Sequence, residues 1–438
     1  MLWHQRSFGV WLLATAQNSF GSALSAAAVS FLVLEQTGDG AALALTLALG
    51  FLPALLLPLV GVWTDRLPLQ WPLVSAAVLG GAVQLALAGA ALNLSALGWT
   101  AIPAGWLFAA ALIGGLASVW AQPAAQSAVP LLVGADGLSW ANGLLTGTRQ
   151  TATLLGFLAG GGLVALAGAL AALLVDGLTY LIAALLTGLL VKFPPRPSRL
   201  PAASPLAELR AGVQTLWQTR SLRLLPWLLL ALNAAGAPLE VLIPAEMERL
   251  GAGAAGYSGF LTAQMLGSLL AGAGTAWAGQ HLPARAAVLG WGLGAVGLLL
   301  LAGLPAAIGT AVPLAWAAAA LFGFGMALSN VLIMTLVGQS VPSEQLGRVF
   351  GVLGSVSMLG MPLTLLALAA WVGRVPAPGT SFWHWRLLWC CALLPYGAPL
   401  PALGGRREQV PELPLGSLGP ARCTCFTPPA APRRIRQR

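Results

Sequence analysis

The sequence predicts an all-α membrane protein with twelve transmembrane helices arranged in two pseudo-symmetric six-helix bundles. Of its 438 residues, 58% are hydrophobic and only 8% are charged, whereas soluble domains carry about 25% charged residues. Apolar runs of about 18 residues or more recur along the chain, and a run of that length spans a bilayer as a helix. In hydrocarbon a helix satisfies its own backbone hydrogen bonds, so the spans are predicted to be helical.

The predicted spans form two groups of six that are separated by a polar, proline-rich stretch. We assign 1–191 to an N-terminal bundle, 192–221 to a basic cytoplasmic linker and 222–403 to a C-terminal bundle, followed by a proline- and arginine-rich tail at 404–438 that we expect to be disordered. Within the linker, 208–217 is expected to form an amphipathic helix at the membrane surface. The predicted spans are 8–34, 41–63, 69–93, 102–127, 145–167, 169–191, 222–247, 255–279, 285–304, 311–338, 346–373 and 382–403.

The positive charges lie mainly in short loops between the apolar spans, and this distribution predicts the orientation of the chain. The net charge is +9, but its placement in loops argues against nucleic acid as a partner. Cytoplasmic loops of membrane proteins are enriched in lysine and arginine. With a cytoplasmic N-terminus, only Arg249 and Arg374 fall in outside loops. We therefore predict a multi-pass protein of the bacterial inner membrane with both termini in the cytoplasm.

The two halves carry matching motifs in the same order, which indicates an internal repeat. Asn18 and Gly21 in the first span correspond to Asn233 and Gly236 in the seventh. A Glu-x-x-Gly segment follows each of these spans, at 35–38 and 248–251. Parallel repeats are related by an axis normal to the membrane, and a central site then lies between the two halves near the midplane.

Several motifs resemble those of a known family. The segment 61–66, Gly-Val-Trp-Thr-Asp-Arg, resembles the start of the signature loop of the major facilitator superfamily, although its second half is missing. The segments 34–38, 141–150 and 341–351 are similar to those of the branch that contains macrolide-efflux proteins and enterobactin exporters. Phe157 stands where efflux members often carry the proline of a Gly-Pro motif. The resemblance extends from about residue 8 to about residue 373.

The resemblance implies a secondary active transporter that exports an amphipathic small molecule, such as a drug, a macrolide or a siderophore, by alternating access. The chain has no Gly-x-x-x-x-Gly-Lys-Ser/Thr loop for ATP hydrolysis, so exchange for protons is the expected energy source. Nutrient import, lipid flipping and a non-transporting membrane role are the alternatives. No nucleophile–base or metal-binding pattern stands out, so we expect no enzyme activity, no cofactor and no metal. A monomer is the default for such a bundle.

A first set of candidate residues lies near the predicted inner membrane boundary, where it would form a gate. Asp65 is expected to face the N-terminus of the eleventh span, where the helix dipole favours a carboxylate. Arg149 begins the fifth span, and it either extends to the lipid headgroups or pairs with Asp65 or Glu344. The complete set of gating candidates is Gly61, Asp65, Arg66, Arg149, Glu344 and Arg348.

A second set lies within the spans and would line a substrate or proton path. Asp176 and Glu240 interrupt apolar runs, and a charge inside the bilayer is costly and commonly functional. Each is either a protonatable group on the path or a structural group that hydrogen-bonds a neighbouring helix. Gln17, Asn18 and Asn233 fall near mid-membrane, where their amides would bind substrate or join helices.

Overall fold

The computed structural model describes residues 2–64, 67–96, 102–134, 137–194, 205–219, 222–223, 225–278, 293–294, 296–297, 308–341 and 343–372. All regular structure in these ranges is helical. Several sequence predictions fall outside the described residues. They are the span 382–403, most of the span 285–304, the tail 404–438, and the candidates Asp65 and Arg66. The helices are α1 (Leu2–Thr37), α2 (Gly40–Phe51), α3 (Leu57–Thr64), α4 (Gln70–Ala96), α5 (Ala104–Val133), α6 (Leu138–Leu185), α7 (Pro205–Gln218), α8 (Leu225–Arg249), α9 (Gly253–Ala278), α10 (Ile308–Ser340) and α11 (Ser343–Val372).

Most of these helices have the length and composition of membrane spans. Among the described residues, six helical segments are apolar and long enough to cross a bilayer. The helix α7 coincides with the amphipathic helix that the linker sequence predicts. The six segments are Arg6–Thr37, Gln70–Leu92, Ala104–Val133, Trp140–Leu190, Ala311–Val331 and Val349–Ala370.

The second predicted span is not one regular helix. The helix α2 passes into a 3₁₀ turn at Leu52–Leu56 before α3 begins. Pro53 lies in the first turn of that 3₁₀ segment and Pro58 follows in α3. Proline has no backbone N–H and displaces the carbonyl one turn before it, which accounts for the interruption of the α-helix.

The fifth and sixth predicted spans are joined without a loop, through a sharp reversal at Gly168. This residue has φ 81° and ψ 169°, and the flanking residues are helical. That combination of angles is essentially restricted to glycine. The chain thus turns back across the bilayer within one residue, and a five-residue π-helical segment, Leu186–Leu190, ends the second arm.

We expect Gly168→Ala to destabilise the protein by about 1–3 kcal/mol, because a Cβ cannot adopt this backbone conformation without strain. Gly162→Ala is the matched control, since Gly162 is helical and has open space where its Cβ would lie. Thermal unfolding of the two purified variants in one detergent measures the difference. Equal melting temperatures for both variants would contradict the proposed strain.

The helix directions define two ends of the molecule. We call the end at which α1 begins the N-face and the opposite end the far face. The Gln70 side chain donates a hydrogen bond to the Val191 carbonyl at 2.8 Å on the N-face. The Ile102 amide donates one to Gln36 at 2.7 Å on the far face. These contacts show that the ends of separate helices meet at each face.

Three buried clusters show how the two halves pack, where the N-half is α1–α6 and the C-half is α8–α11. The largest cluster, the far-face core, includes Phe31 and Leu173 of the N-half together with Met247 and Leu365 of the C-half. The other two lie at the N-face, one around Phe8 in the N-half and one formed by α7, α8, α10 and α11. Among the described residues, no buried cluster joins the halves at the N-face. The described residues therefore pack the two halves together at the far face and form no common buried cluster at the N-face.

Candidate functional site

A cavity of about 1040 Å³ lies where the N-face ends of the two halves separate. Helices α1, α2, α4, α5 and α6 form most of its wall, and α8 and α11 contribute the opposite side. Asn142, Thr146 and Arg149 in the first turns of α6 are exposed and line it near the N-face. The far-face core closes its other end.

The wall of this cavity combines apolar surface with neutral hydrogen-bonding groups. Arg149 is the one charged side chain among the described residues that line it. Trp11, Met358 and Met361 add large, polarisable apolar groups. Sites of this composition bind mainly through apolar contact, and a few polar groups orient the ligand. The amide side chains of the wall are Asn18, Gln84, Gln122, Gln126, Asn142 and Asn233.

The repeated asparagines lie on opposite sides of the cavity, as the internal repeat predicts. Asn18 of α1 and Asn233 of α8 both line it. The Asn233 side chain donates to the Leu229 carbonyl at 2.9 Å, while the buried Asn18 Oδ1 has no hydrogen-bond partner among the described residues. Gln17 points elsewhere, because its amide donates to the Thr179 carbonyl of α6 at 2.7 Å. Asn18 is thus the better placed of the two neighbours to bind a ligand.

Asp176 joins three helices of the N-half. Its side chain is 1% exposed. Ser25 of α1 donates to its Oδ2 at 2.6 Å, and Gln84 of α4 donates to the same oxygen at 2.9 Å. The Thr179 hydroxyl lies 3.4 Å from Oδ1. Asp176 is absent from the wall of the central cavity, so its geometry favours the structural alternative over a role on the path.

Glu240 has a different environment, in the C-half. It lines a smaller cavity of about 240 Å³ together with Tyr257 and Gln264. Asn233 and Met361 line both this cavity and the central one. Glu240 therefore lies next to the central cavity, whereas Asp176 lies within a helix interface.

The structure describes only part of the predicted gate. Gly61 lies in α3, and its carbonyl accepts a hydrogen bond from Thr64 at 3.1 Å. Glu344 and Arg348 lie in α11, but the structure does not describe their side chains. Asp65 and Arg66 lie outside the described residues altogether. Arg149 reaches the central cavity.

The sequence interpretation missed Gln84, Tyr180 and Tyr257. A signal for two of them was present, because the chain has only three tyrosines and all three, Tyr180, Tyr257 and Tyr396, lie inside predicted spans. A buried tyrosine hydroxyl requires a hydrogen-bond partner. Tyr180 lies one turn after Asp176 and Tyr257 lines the smaller cavity with Glu240, so each of these two tyrosines accompanies one intramembrane carboxyl.

Comparison with known proteins identifies the family of this chain. The family model described as Major Facilitator Superfamily matches residues 8–365, which is most of the chain. The chain belongs to the Major Facilitator Superfamily. Among curated proteins, it is 24% identical to macrolide efflux protein A of Streptococcus pyogenes over 398 residues, covering 88% of this chain and 93% of that protein.

Solved structures of other transporters share the fold. A variant of the nucleoside transporter NupG matches with a TM-score of 0.72 at 14% identity, covering 89% of this chain and 97% of its own. A bacterial homologue of the iron transporter ferroportin, in an inward-facing state, matches with a TM-score of 0.66 at 18% identity, covering 90% and 96%.

The superfamily assignment confirms several predictions from the sequence. This protein is an all-helical, multi-pass membrane protein with the major facilitator fold. It is a secondary transporter of a small-molecule substrate rather than an enzyme. The resemblance to the macrolide-efflux branch is also confirmed, as a distant homology.

Proposed function

We propose that this transporter exports an amphipathic small molecule, such as a drug, a macrolide or a siderophore-like compound, in exchange for protons. The central cavity is the observation that carries the proposal. Its volume of about 1040 Å³ suits a drug-sized or larger ligand. Its amides and hydroxyls are distributed over an otherwise apolar wall, which suits a substrate with both polar and apolar groups.

The relative with an efflux function supports export as the direction of transport. Macrolide efflux protein A aligns with nearly the whole chain, so the likeness includes both halves and the cavity between them. Fold alone does not select a substrate or a direction. Import and lipid flipping are the alternative functions that a measurement of export must exclude.

Proton coupling is supported by how few carboxyl groups lie inside the predicted spans. The sequence places three there, Asp176, Glu240 and Glu246. Glu246 is ion-paired with Arg249, and Asp176 accepts hydrogen bonds between helices. Of the three, Glu240 is the one that lines either of the two cavities described above, and it has no salt bridge to a described cation. We therefore assign Glu240 to the proton path.

We further propose the orientation and the working cycle. The basic loops support a cytoplasmic location for the N-face and both termini, and in this orientation the central cavity opens to the inside. Two six-helix bundles, joined by the linker 192–221, rock about the cavity as a monomer. The motif residues Asp65 and Arg66, with Arg149, Glu344 and Arg348, form the inner gate when the outside opens.

An accumulation assay in efflux-deficient bacteria tests this function. Cells that express the protein should accumulate less labelled macrolide or cationic dye than control cells, and an uncoupler should restore accumulation. Asp65→Asn should abolish the difference because it removes the gate carboxylate. Asp39→Asn is the control, since asparagine also caps a helix and Asp39 caps α2. Equal accumulation of both compounds in cells with well-folded protein would remove the drug-export proposal.

A further inference from the structure

Gln84 is the one polar side chain among the described residues of α4 that line the central cavity. The rise of an α-helix places it about 21 Å along α4 from Gln70 at the N-face. It therefore lies deep in the cavity, far from the exposed Arg149 near the N-face. The other lining residues of α4 are Leu73, Ala76, Ala77, Gly80, Val83 and Leu87.

Asp176 determines which end of the Gln84 amide is free. The Gln84 Nε2 donates to the Asp176 Oδ2 at 2.9 Å, and only the NH₂ end of an amide can donate. Asp176 is itself buried and accepts a second hydrogen bond from Ser25 of α1, so this anchor is fixed by two helices. The Gln84 Oε1 has no hydrogen-bond partner among the described residues. This oxygen is therefore available to a ligand as an acceptor.

Other polar groups of the wall are committed in the same sense. On the opposite side of the cavity, the Asn233 Nδ2 donates to the Leu229 carbonyl at 2.9 Å, which leaves its Oδ1 free. Three hydroxyls of the N-half donate to carbonyls of their own helices at 2.8 to 2.9 Å, so they can only accept from a ligand. They are Thr15, Ser19 and Thr46. Both halves thus present hydrogen-bond acceptors to the cavity.

The charges of the wall restrict the ligand further. No carboxyl group lines the central cavity among the described residues, and Arg149 is the one charged group there. An ammonium group held among neutral acceptors would be buried without a counter-ion, which is costly. An anion would instead face the carbonyl oxygens of Gln84 and Asn233, which repel it. An uncharged group that donates hydrogen bonds avoids both costs.

We infer that the deep part of the central cavity binds an uncharged head group with several hydroxyls, such as a sugar ring, and that Gln84 determines this specificity. One hydroxyl donates to the Gln84 Oε1 and another to the Asn233 Oδ1. Met358 and Met361 of α11 offer apolar contact to the rest of the molecule. Asp176 is a positioning residue that holds the Gln84 amide. This inference deepens the proposed function and rests on it for the role of the cavity as the substrate site.

Binding of matched amphipathic ligands to the full chain in lipid nanodiscs tests this inference without any gradient. The tritiated probes are decyl β-glucoside, its fully O-methylated derivative and decyltrimethylammonium. They share one alkyl chain, but only the glucoside donates hydrogen bonds through hydroxyls. Equilibrium dialysis against empty nanodiscs gives the specific binding. We expect the glucoside to bind about tenfold or more tightly than the methylated derivative, as the loss of two hydrogen bonds predicts, and more tightly than the cation.

A lysine at position 84 separates recognition from structure. Gln84→Lys keeps a donor for Asp176 but offers no acceptor to the cavity, so glucoside binding should weaken about fivefold while binding of the methylated derivative changes little. Gln70→Lys is the matched control. Gln70 lies in the same helix, donates to the Val191 carbonyl and does not line the cavity, so this variant should bind like the wild type. Asn233→Ala should resemble Gln84→Lys.

The inference is overturned if the wild type binds the glucoside no more tightly than the methylated derivative or the cation, or binds none of them. A wild-type preference in Gln84→Lys, or an equal loss in Gln70→Lys, overturns the role of Gln84. If Gln84→Lys does not fold, Gln84→Met decides and must show the same loss. The assay is independent of transport. A glucoside preference without drug export would refute export alone, and drug export without this preference would refute this inference alone.

Discussion

Asp176→Leu is expected to destabilise the protein by about 3 kcal/mol. The substitution removes the acceptor of both Ser25 and Gln84, and each buried donor that loses its partner costs about 1–3 kcal/mol. Asp176→Asn should stay within about 1 kcal/mol of the wild type, because its side-chain oxygen still accepts a hydrogen bond. Thermal unfolding in detergent, followed by size-exclusion chromatography, measures both variants.

The same pair of variants distinguishes a structural carboxyl from one on the proton path. A structural Asp176 predicts that Asp176→Asn retains uncoupler-sensitive export. If Asp176→Asn is well folded and has lost that export, Asp176 belongs to the coupling machinery and the assignment of Glu240 as the coupling group fails. An Asp176→Leu variant as stable as the wild type would show that the three-helix junction contributes little.

Gly323→Ala is expected to have a comparably large effect on folding. At the crossing of α9 and α10, a Cβ added to Gly323 would overlap the Gln264 carbonyl, and one added to Gly267 would overlap the Ala320 carbonyl. Ser268 adds a hydrogen bond to the Gly323 carbonyl at 3.1 Å. Membrane helices rely on such close packing for association. Because a backbone must move to admit the methyl group, we expect a loss of about 3 kcal/mol or more.

Gly272→Ala is the matched control for this prediction. Gly272 lies in the same α9, and nothing lies within 4 Å of the position that its Cβ would occupy. Alanine in a helix is favoured over glycine by about 0.5–1 kcal/mol, so this variant should be neutral or slightly more stable. The fraction of monodisperse protein after heating compares the two. Similar losses for both variants would mean that generic helix effects, rather than the crossing, explain the result.

The helical part of the fold follows from the sequence because apolar length alone identifies a span. Ten of the twelve predicted spans overlap described helices over most of their length. The sequence did not predict a one-residue reversal at Gly168 or a 3₁₀ turn after Phe51, because both arise from local backbone geometry within apolar runs. The count of twelve helices and the two-bundle division stay predictions.

The roles within the site were harder to predict, and the two carboxyls show why. In the sequence, Asp176 and Glu240 are alike, as single acidic residues in apolar runs. Their difference comes from residues on other helices, namely Ser25 and Gln84 around one and Tyr257 beside the other. The packing of the Tyr257 ring against Phe31 of α1 links the two halves, and no local pattern reports it. Asn18 and Asn233 were predictable because the repeat relates them by symmetry.

Transport by purified protein in proteoliposomes tests the central claim, proton-coupled exchange through Glu240, most directly. A pH gradient, acidic inside, is imposed on vesicles containing the wild type, Glu240→Gln or Asp176→Asn, and uptake of a labelled macrolide is followed. We predict uptake driven by the gradient for the wild type and Asp176→Asn, its collapse with an uncoupler, and none for Glu240→Gln. Gradient-driven uptake that persists in Glu240→Gln would contradict the account.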